Sequence, residues 1–249
     1  MLDENTKLEF VPEVYPGYLQ GYLAKEELPN SLTLLPPPPA ENSTAKALDE
    51  EINQNAFSLR GSPRWDIAAE DSDLFFPHAA STFSCAINAS ITEQDTPQLY
   101  RLLRRSLADA AYVTYAAKYH YNRARPFVVN KQPHCSKEEK VRKNTSYPSG
   151  HSAIGWAWAL ILTEVAPEFS DDILKRGWEF GQSRSICNVH WQSDINSGRV
   201  VGAAVVARLH SNAKFLAAVE ASKSELITVR AKNVLPQGDC NGDSTIKLK

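Results

Sequence analysis

The chain of 249 residues carries a formal net charge of −2 and 43 % hydrophobic residues, with a pI near 6.3. That composition supplies a sizeable core and excludes a polycationic nucleic-acid binder. The longest apolar runs, Ala153–Leu162 and Val200–Leu209, fall short of the roughly 20 residues that span a bilayer, and the acidic start Met1-Leu2-Asp3-Glu4-Asn5 lacks the apolar centre of an export signal.

Residues 1–44 read as an extended strap. Pro12, Pro16 and Pro29 interrupt any helix, and Pro36-Pro37-Pro38-Pro39 requires polyproline II geometry. Helical spacing begins at Ala45 and runs to Leu59, followed by an acidic, aromatic stretch from Trp65 to Phe76. Thr96 with Pro97 after it is the pattern of an N-cap and first helical residue. Apolar residues at intervals of three and four carry that helix to about Tyr121, and Pro126 disfavours helix at Arg125. Residues 127–147 form a polar, lysine-rich loop.

Further helices are expected from Ser149 to Ala166, stopped by Pro167, and from Ser170, with a capping hydroxyl and early acids, to about Ser185. Two more run from Ser193 to His210 and from Ala213 to Val229, and the polar tail 233–249 is expected to be flexible. No alternating strand pattern stands out. The expected fold is all-α, a single-domain helical bundle over residues 45–232. Ala153–Val165 and Val200–Leu209, apolar nearly all round, should be central in it. Gly202, Ala203 and Ala204 would let a neighbouring helix approach closely. Cys85, Cys135, Cys187 and Cys240 allow two disulfides in three pairings, or four buried thiols, and their spacing matches no zinc site.

Three blocks concentrate the chemistry: Lys118-x6-Arg125-Pro126, Pro148-Ser149-Gly150-His151, and Ser183-Arg184-x5-His190-x3-Asp194. Arg125 and Arg184 suit planar, bidentate contacts to an oxyanion, and Lys118 adds a point charge. Lys118 and Arg125 are two helical turns apart and share a face if the helix holds. Pro148–His151 sits where a loop becomes a helix, so its first N–H groups and the helix dipole favour an anion. Gly150 allows close approach there, and the Ser149 hydroxyl adds a donor. Asp194, four residues after His190, can hold the imidazole Nδ1 and leave Nε2 to attack phosphorus. His151 would protonate the leaving oxygen and later take a proton from water.

Singly these features are ordinary, since an i, i+4 His–Asp pair is more often a modest helix stabiliser and a lone arginine a solvated side chain. Jointly they are the parts of a phosphoryl-transfer site that uses no metal. Asn122 and Arg123 are placed at the pocket edge, and Trp191 either walls the site or belongs to the core. His78, His120, His134 and His210 lack comparable surroundings.

These blocks are similar to the signature of the type 2 phosphatidic acid phosphatase (PAP2) superfamily, with no position departing from it. More narrowly, the chain resembles the bacterial class A non-specific acid phosphatases over roughly residues 30–225. The likeness extends through Asn30-Ser31-Leu32 and the proline run, Ala69-Glu70-Asp71, Ile91-Thr92-Glu93, Ser146–His151 and Gly181–Asp194.

The resemblance implies an all-helical fold shared with vanadium haloperoxidases. It implies His190 as nucleophile, Asp194 as its partner and His151 as general acid, with Lys118, Arg125, Ser149, Gly150 and Arg184 around the phosphate. The implied activity is acid phosphatase action on a broad range of small phosphomonoesters through a phosphohistidine. No metal or other cofactor is required, although phosphate or vanadate can occupy the site. Alternatives within the same cradle are an apyrase-type nucleotide hydrolase and a vanadate-dependent haloperoxidase. The implied setting is periplasmic or secreted, as a mature chain whose signal peptide has been removed, in a homodimer or larger homo-oligomer, with no nucleic-acid or membrane partner. Cys135 and Cys187 fall where such phosphatases often carry cysteines, and the pairing read with the resemblance is Cys135–Cys187 and Cys85–Cys240.

Overall fold

A computed structural model describes residues 10–137, 141–232, 234, 236 and 240; the rest, including most of the tail 233–249, lies outside the described residues. In chain order come a hairpin of β1 (Glu13–Tyr15) and β2 (Tyr18–Leu19), then α1 (Ser31–Leu34), α2 (Thr44–Asn55), α3 (Pro63–Glu70), α4 (His78–Ser81), α5 (Pro97–Tyr112) and α6 (Tyr115–Tyr121). They are followed by α7 (Pro126–Asn130), α8 (Gly150–Val165), α9 (Ser170–Ile186), α10 (Gln192–Leu209) and α11 (Ala213–Ala231). Single 3₁₀ turns lie at Lys25–Glu27, Ala56–Leu59 and Pro167–Phe169. Among the described residues the protein is all-α apart from the hairpin.

Helix α8 is central because almost every side chain on it is apolar or small, and it packs against α5, α9, α10 and α11. Trp158, near its middle, is fully buried against Phe76, Phe83 and Phe180 and donates its indole N–H to the Leu103 carbonyl at 3.1 Å. Helix α10 lies close against α8 because two of its contact residues are glycine. A Cβ at Gly198 would come within 2.5 Å of the Ser149 carbonyl oxygen, and one at Gly202 within 2.5 Å of that of Ala153. This approach draws the start of α10 to the start of α8, where two of the three sequence blocks lie. The expectation of a fully surrounded α10 needs correction: Val200 is 48 % exposed, so one stripe of the helix faces outward.

Five other expectations are corrected. The hairpin forms where no strand was expected, around Pro16 and Gly17, whose φ of +85° suits glycine. The helix from Pro97 does not continue to Tyr121 but breaks at Val113–Thr114, a β-branched pair; Thr114 turns its hydroxyl back to the Ala111 carbonyl at 2.7 Å. Thr96 does not cap α5 with its side chain. The half-buried Glu225 carboxylate, reaching over from α11, accepts instead from the N–H groups of Gln98 and Leu99 at 2.9 and 3.0 Å. Ser170 gives its hydroxyl to the Pro167 carbonyl and does not cap α9. The loop after Arg125 also contains one helical stretch, α7. The proline run has no regular secondary structure, and Pro36 offers its carbonyl to the Tyr147 hydroxyl at 2.7 Å.

The disulfides are Cys85–Cys240 and Cys135–Cys187, the pairing read with the resemblance. Among the described residues no helix is long and apolar enough to cross a membrane.

Candidate active site

His190 lies in the five-residue turn between α9 and α10, outside either helix. The turn is held from three directions. Asn188 adopts φ of +61°, and its side chain joins those of Asn53 and Asn130 in a buried amide cluster with contacts of 2.8 to 3.0 Å. Cys187 is bonded to Cys135, whose N–H donates to the Cys187 carbonyl. The N–H groups of Val189 and His190 return to the Arg184 carbonyl. A histidine placed by so many contacts has little freedom to leave its position.

Asp194 stands at the third position of α10 and is fully buried. Its Oδ2 accepts from the Ser146 hydroxyl at 2.6 Å and from the Trp191 N–H at 2.8 Å, and lies 3.4 Å from His190 Nδ1. The expected helical i, i+4 pairing is therefore replaced by a capping geometry, in which the carboxylate closes the first turn of α10 and also faces the imidazole. On the other side of the ring, Arg125 Nη1 lies 2.8 Å from His190 Nε2. A guanidinium can only donate, so Nε2 carries the lone pair and Nδ1 the proton.

The three expected cations converge here, although not on one helix. Helix α6 ends at Tyr121, and Asn122 takes a left-handed conformation at φ of +45°, so Arg125 leaves the face that carries Lys118. Lys118 donates to the carbonyls of Thr145 and Pro148 at 2.9 and 2.6 Å. Arg125 donates to those of Arg142 and Val189 at 2.6 and 2.9 Å. Arg184, 1 % exposed, donates to that of Ala68 at 2.6 Å.

Ser149 caps α8, its hydroxyl accepting from the Ser152 N–H at 3.2 Å and from the Ser152 hydroxyl at 2.8 Å. Its own N–H is taken by the Asp194 carbonyl at 2.9 Å. An anion approaching this turn would meet the N–H groups of Gly150 and His151, the first two helical residues, and the Ser149 hydroxyl. A Cβ at Gly150 would meet nothing nearer than Lys118 Cε at 3.8 Å, so packing does not require the glycine.

His151 is turned toward the end of α3, where its Nε2 lies 3.1 Å from the Ser72 carbonyl. A carbonyl only accepts, so Nε2 donates and Nδ1 is the other, basic nitrogen. Both histidines are pushed well below the ordinary imidazole pKa. For His151 the causes are burial, then Arg184, His190 and Arg125; for His190 they are burial, then Arg125, Lys118 and Arg184. Those causes also show that the two rings and three cations share one electrostatic neighbourhood.

Several groups at the site had no role assigned from sequence. Ser146 sits beside the Pro148–His151 block. Ser72 and Ala68 hold His151 and Arg184 through main-chain carbonyls, which leave no mark in side-chain chemistry. Asp71 ties that end of α3 to α9 through a buried pair with Arg176 and a 2.5 Å bond from the Ser183 hydroxyl. Arg123 lies behind Asp194 and not at the pocket edge, its Nη1 2.6 Å from Asp194 Oδ1. Trp191 belongs to the core, 2 % exposed, with Lys46 over its ring. Among the described residues no three His, Cys, Asp or Glu side chains group to hold a metal ion.

Comparison with known proteins shows the family of the chain. Residues 100–216 match the PAP2 superfamily model. Two curated relatives are each called a non-specific acid phosphatase. That of Salmonella typhimurium is 41 % identical over 87 % of this chain and 90 % of its own. That of Providencia stuartii is 43 % identical over 84 % and 86 %. An acid phosphatase of Zymomonas mobilis is 36 % identical over 82 % and 78 %. A solved structure of a bacterial vanadium-dependent iodoperoxidase superposes with a TM-score of 0.53 at 18 % identity, over 72 % of this chain and 52 % of the peroxidase, a likeness of fold. The fold is that of the PAP2 superfamily. Within it, the chain belongs to the family of the bacterial non-specific acid phosphatases.

Proposed function

We propose that this protein is an acid phosphatase that hydrolyses a broad range of small phosphate monoesters through a phosphohistidine on His190, without a metal. The observation that carries the reading is the lone pair of His190 Nε2, facing Arg125 at 2.8 Å among the charges of Lys118 and Arg184. An arriving phosphate takes Arg125 from the imidazole, and the three cations with the first N–H groups of α8 hold its equatorial oxygens. Nε2 then forms the bond to phosphorus as the bond to the ester oxygen breaks. Nδ1–H stays with Ser146 and Asp194 and stabilises the charge that develops on the ring.

His151 Nδ1 protonates the departing oxygen. Water then attacks the phosphohistidine, gives its proton back to His151 Nδ1, and inorganic phosphate leaves with His190 regenerated. With both rings depressed in the free enzyme, the required proton arrives with the substrate monoanion or enters as the bound phosphate raises His151. Phosphate monoesters lose their second proton near pH ~6, so kcat/KM should decline above that pH. The same residues would hold vanadate, as an inhibitor. The partners are small phosphomonoesters, not nucleic acid or membrane. The working form is a homodimer or larger assembly in the periplasm or outside the cell, after removal of a signal peptide.

The test is turnover of a substrate panel between pH 4 and 8 with a chelator present, with trapping of the labelled enzyme. The label should be acid-labile and base-stable, and absent from His190→Ala, whose kcat should fall at least about 10³-fold. An acid-stable label, or loss of activity in chelator that a divalent ion restores, overturns the reading. A preference for nucleoside di- and triphosphates would indicate an apyrase, and peroxide-dependent bromide oxidation with vanadate a haloperoxidase.

A further inference from the structure

We propose that Arg123 and Asp49 are positioning residues for the His190–Asp194 pair, making the rear of the site a relay of four side chains; the inference rests on the phosphatase reading above. Asp194 Oδ2 is occupied by Ser146 and Trp191, and Oδ1 takes Arg123 Nη1 at 2.6 Å. Arg123 is fixed in turn: Nη2 lies 2.8 Å from Asp49 Oδ2, and Nη1 also donates to the Ser193 hydroxyl at 2.7 Å.

Asp49, on α2, does a second thing. Its Oδ1 accepts the N–H of Ser193 at 2.8 Å and its Oδ2 the Ser193 hydroxyl at 2.5 Å, so it closes the first turn of α10 from outside the helix. Asp49, Ser193, the peptide to Asp194, the Asp194 carboxylate and Arg123 therefore form a closed ring. One carboxylate fixes both the helix turn that carries Asp194 and the guanidinium that grips it. The ring is buried: Asp49 is 3 % exposed and Asp194 not at all.

The gap between Asp194 Oδ2 and His190 Nδ1 gives the ring its importance. At 3.4 Å it is just beyond an ordinary N–H···O bond, so a small rotation of the carboxylate decides whether the bond forms as the imidazole becomes charged. Arg123 sets that rotation by holding the opposite oxygen. Arg123 and Arg125, two residues apart, thereby straddle the reacting unit, one gripping Asp194 and the other facing Nε2.

Asp49→Asn and Arg123→Lys test the proposal, each first checked for folding by circular dichroism. Displacing a reacting group's support by about an ångström is worth up to about 100-fold. We expect kcat on nitrophenyl phosphate to fall about 10- to 100-fold, while KM and the inhibition constant of orthophosphate stay within about threefold. Because the effect passes through Asp194, Arg123→Lys should lower kcat by less than about threefold in an Asp194→Asn background. Equal losses in both backgrounds, an inhibition constant that rises with the loss of kcat, or unchanged kcat in both single variants overturns the relay. The Nδ1 proton resonance of His190, assigned by its loss in His190→Gln, should also move in Asp49→Asn. An unmoved resonance overturns the relay whatever the activity, whereas a wild-type protein that turns over no phosphate ester overturns only the reading on which it rests.

Discussion

Arg123 and Arg176 are each locked to buried carboxylates, whereas Lys118, Arg125 and Arg184 are held by main-chain carbonyls. The difference is one of charge. An ion pair fixes a guanidinium and cancels most of its field; a carbonyl dipole orients a cation without itself adding a countercharge. Asp194 and Asp49 hold Arg123 strongly enough to offset its burial and raise its pKa above the usual arginine value. The carbonyl-held cations instead spend their field on the two histidines, which they help to depress. The protein thus divides its buried cations by the kind of acceptor supplied: carboxylates build the frame, and carbonyls orient the cations that face the two histidines.

The comparison is tested most severely at Arg176, whose loss strands the buried Asp71 carboxylate beneath the Ala68 and Ser72 carbonyls. Arg176→Ala should lower stability by about 3–5 kcal/mol, the usual result of removing one partner of a buried pair, measured by urea unfolding. A change below about 1 kcal/mol would place Arg176 outside the frame. Next in size is the clamp on the nucleophile turn. Replacing Cys135 and Cys187 together by serine removes a cross-link spanning 52 residues and should cost about 2–4 kcal/mol, with a loss of kcat as the His190 turn loosens. Full kcat in a destabilised variant would show that the asparagine cluster and the main-chain bonds to Arg184 hold the turn without the disulfide.

Arg125→Ala, on the other side of the divide, should raise the inhibition constant of orthophosphate at least about tenfold, or ~1.4 kcal/mol, with little change in unfolding. A stability loss like that of Arg176 would erase the distinction between the two groups. The smallest effect is in pH. The folded protein holds the His151 and His190 protons less tightly than the unfolded chain does. Their contribution to stability is therefore complete above about pH 6.5 and is lost as pH falls below it. Asp109, pushed up to about 6 by burial against the lowering effect of the Tyr22 and Leu23 N–H groups, works the other way, its contribution being lost as pH rises through that value. His151→Gln should therefore flatten the decline between pH 7 and pH 5, and bound orthophosphate should do so in the parent. Identical slopes for His151→Gln and the parent would mean that His151 binds protons equally in both states.

Much of this was legible from the chain alone. The helix cores at 97–112, 150–165, 170–186, 192–209 and 213–231 follow from apolar spacing and from Pro97 and Pro167, because those signals act within a turn or two of the backbone. The residues gathered at the site are those of the three sequence blocks, since phosphate chemistry restricts which side chains can serve. The sequence could not reveal their partners. Glu225 caps a helix more than a hundred residues away, Asp49 reaches Ser193 across 144 positions, and Ser72 and Ala68 act through carbonyls that any residue possesses. The break at Val113–Thr114 and the turn at Asn122 are likewise choices among local conformations of similar energy. Periodicity determined that this chain would be a helical protein, and the three residue blocks pointed to an oxyanion chemistry. Which cation is tied to a carboxylate and which to main-chain carbonyls was decided only by packing, because a guanidinium takes its partners from the acceptors that the folded chain brings to it.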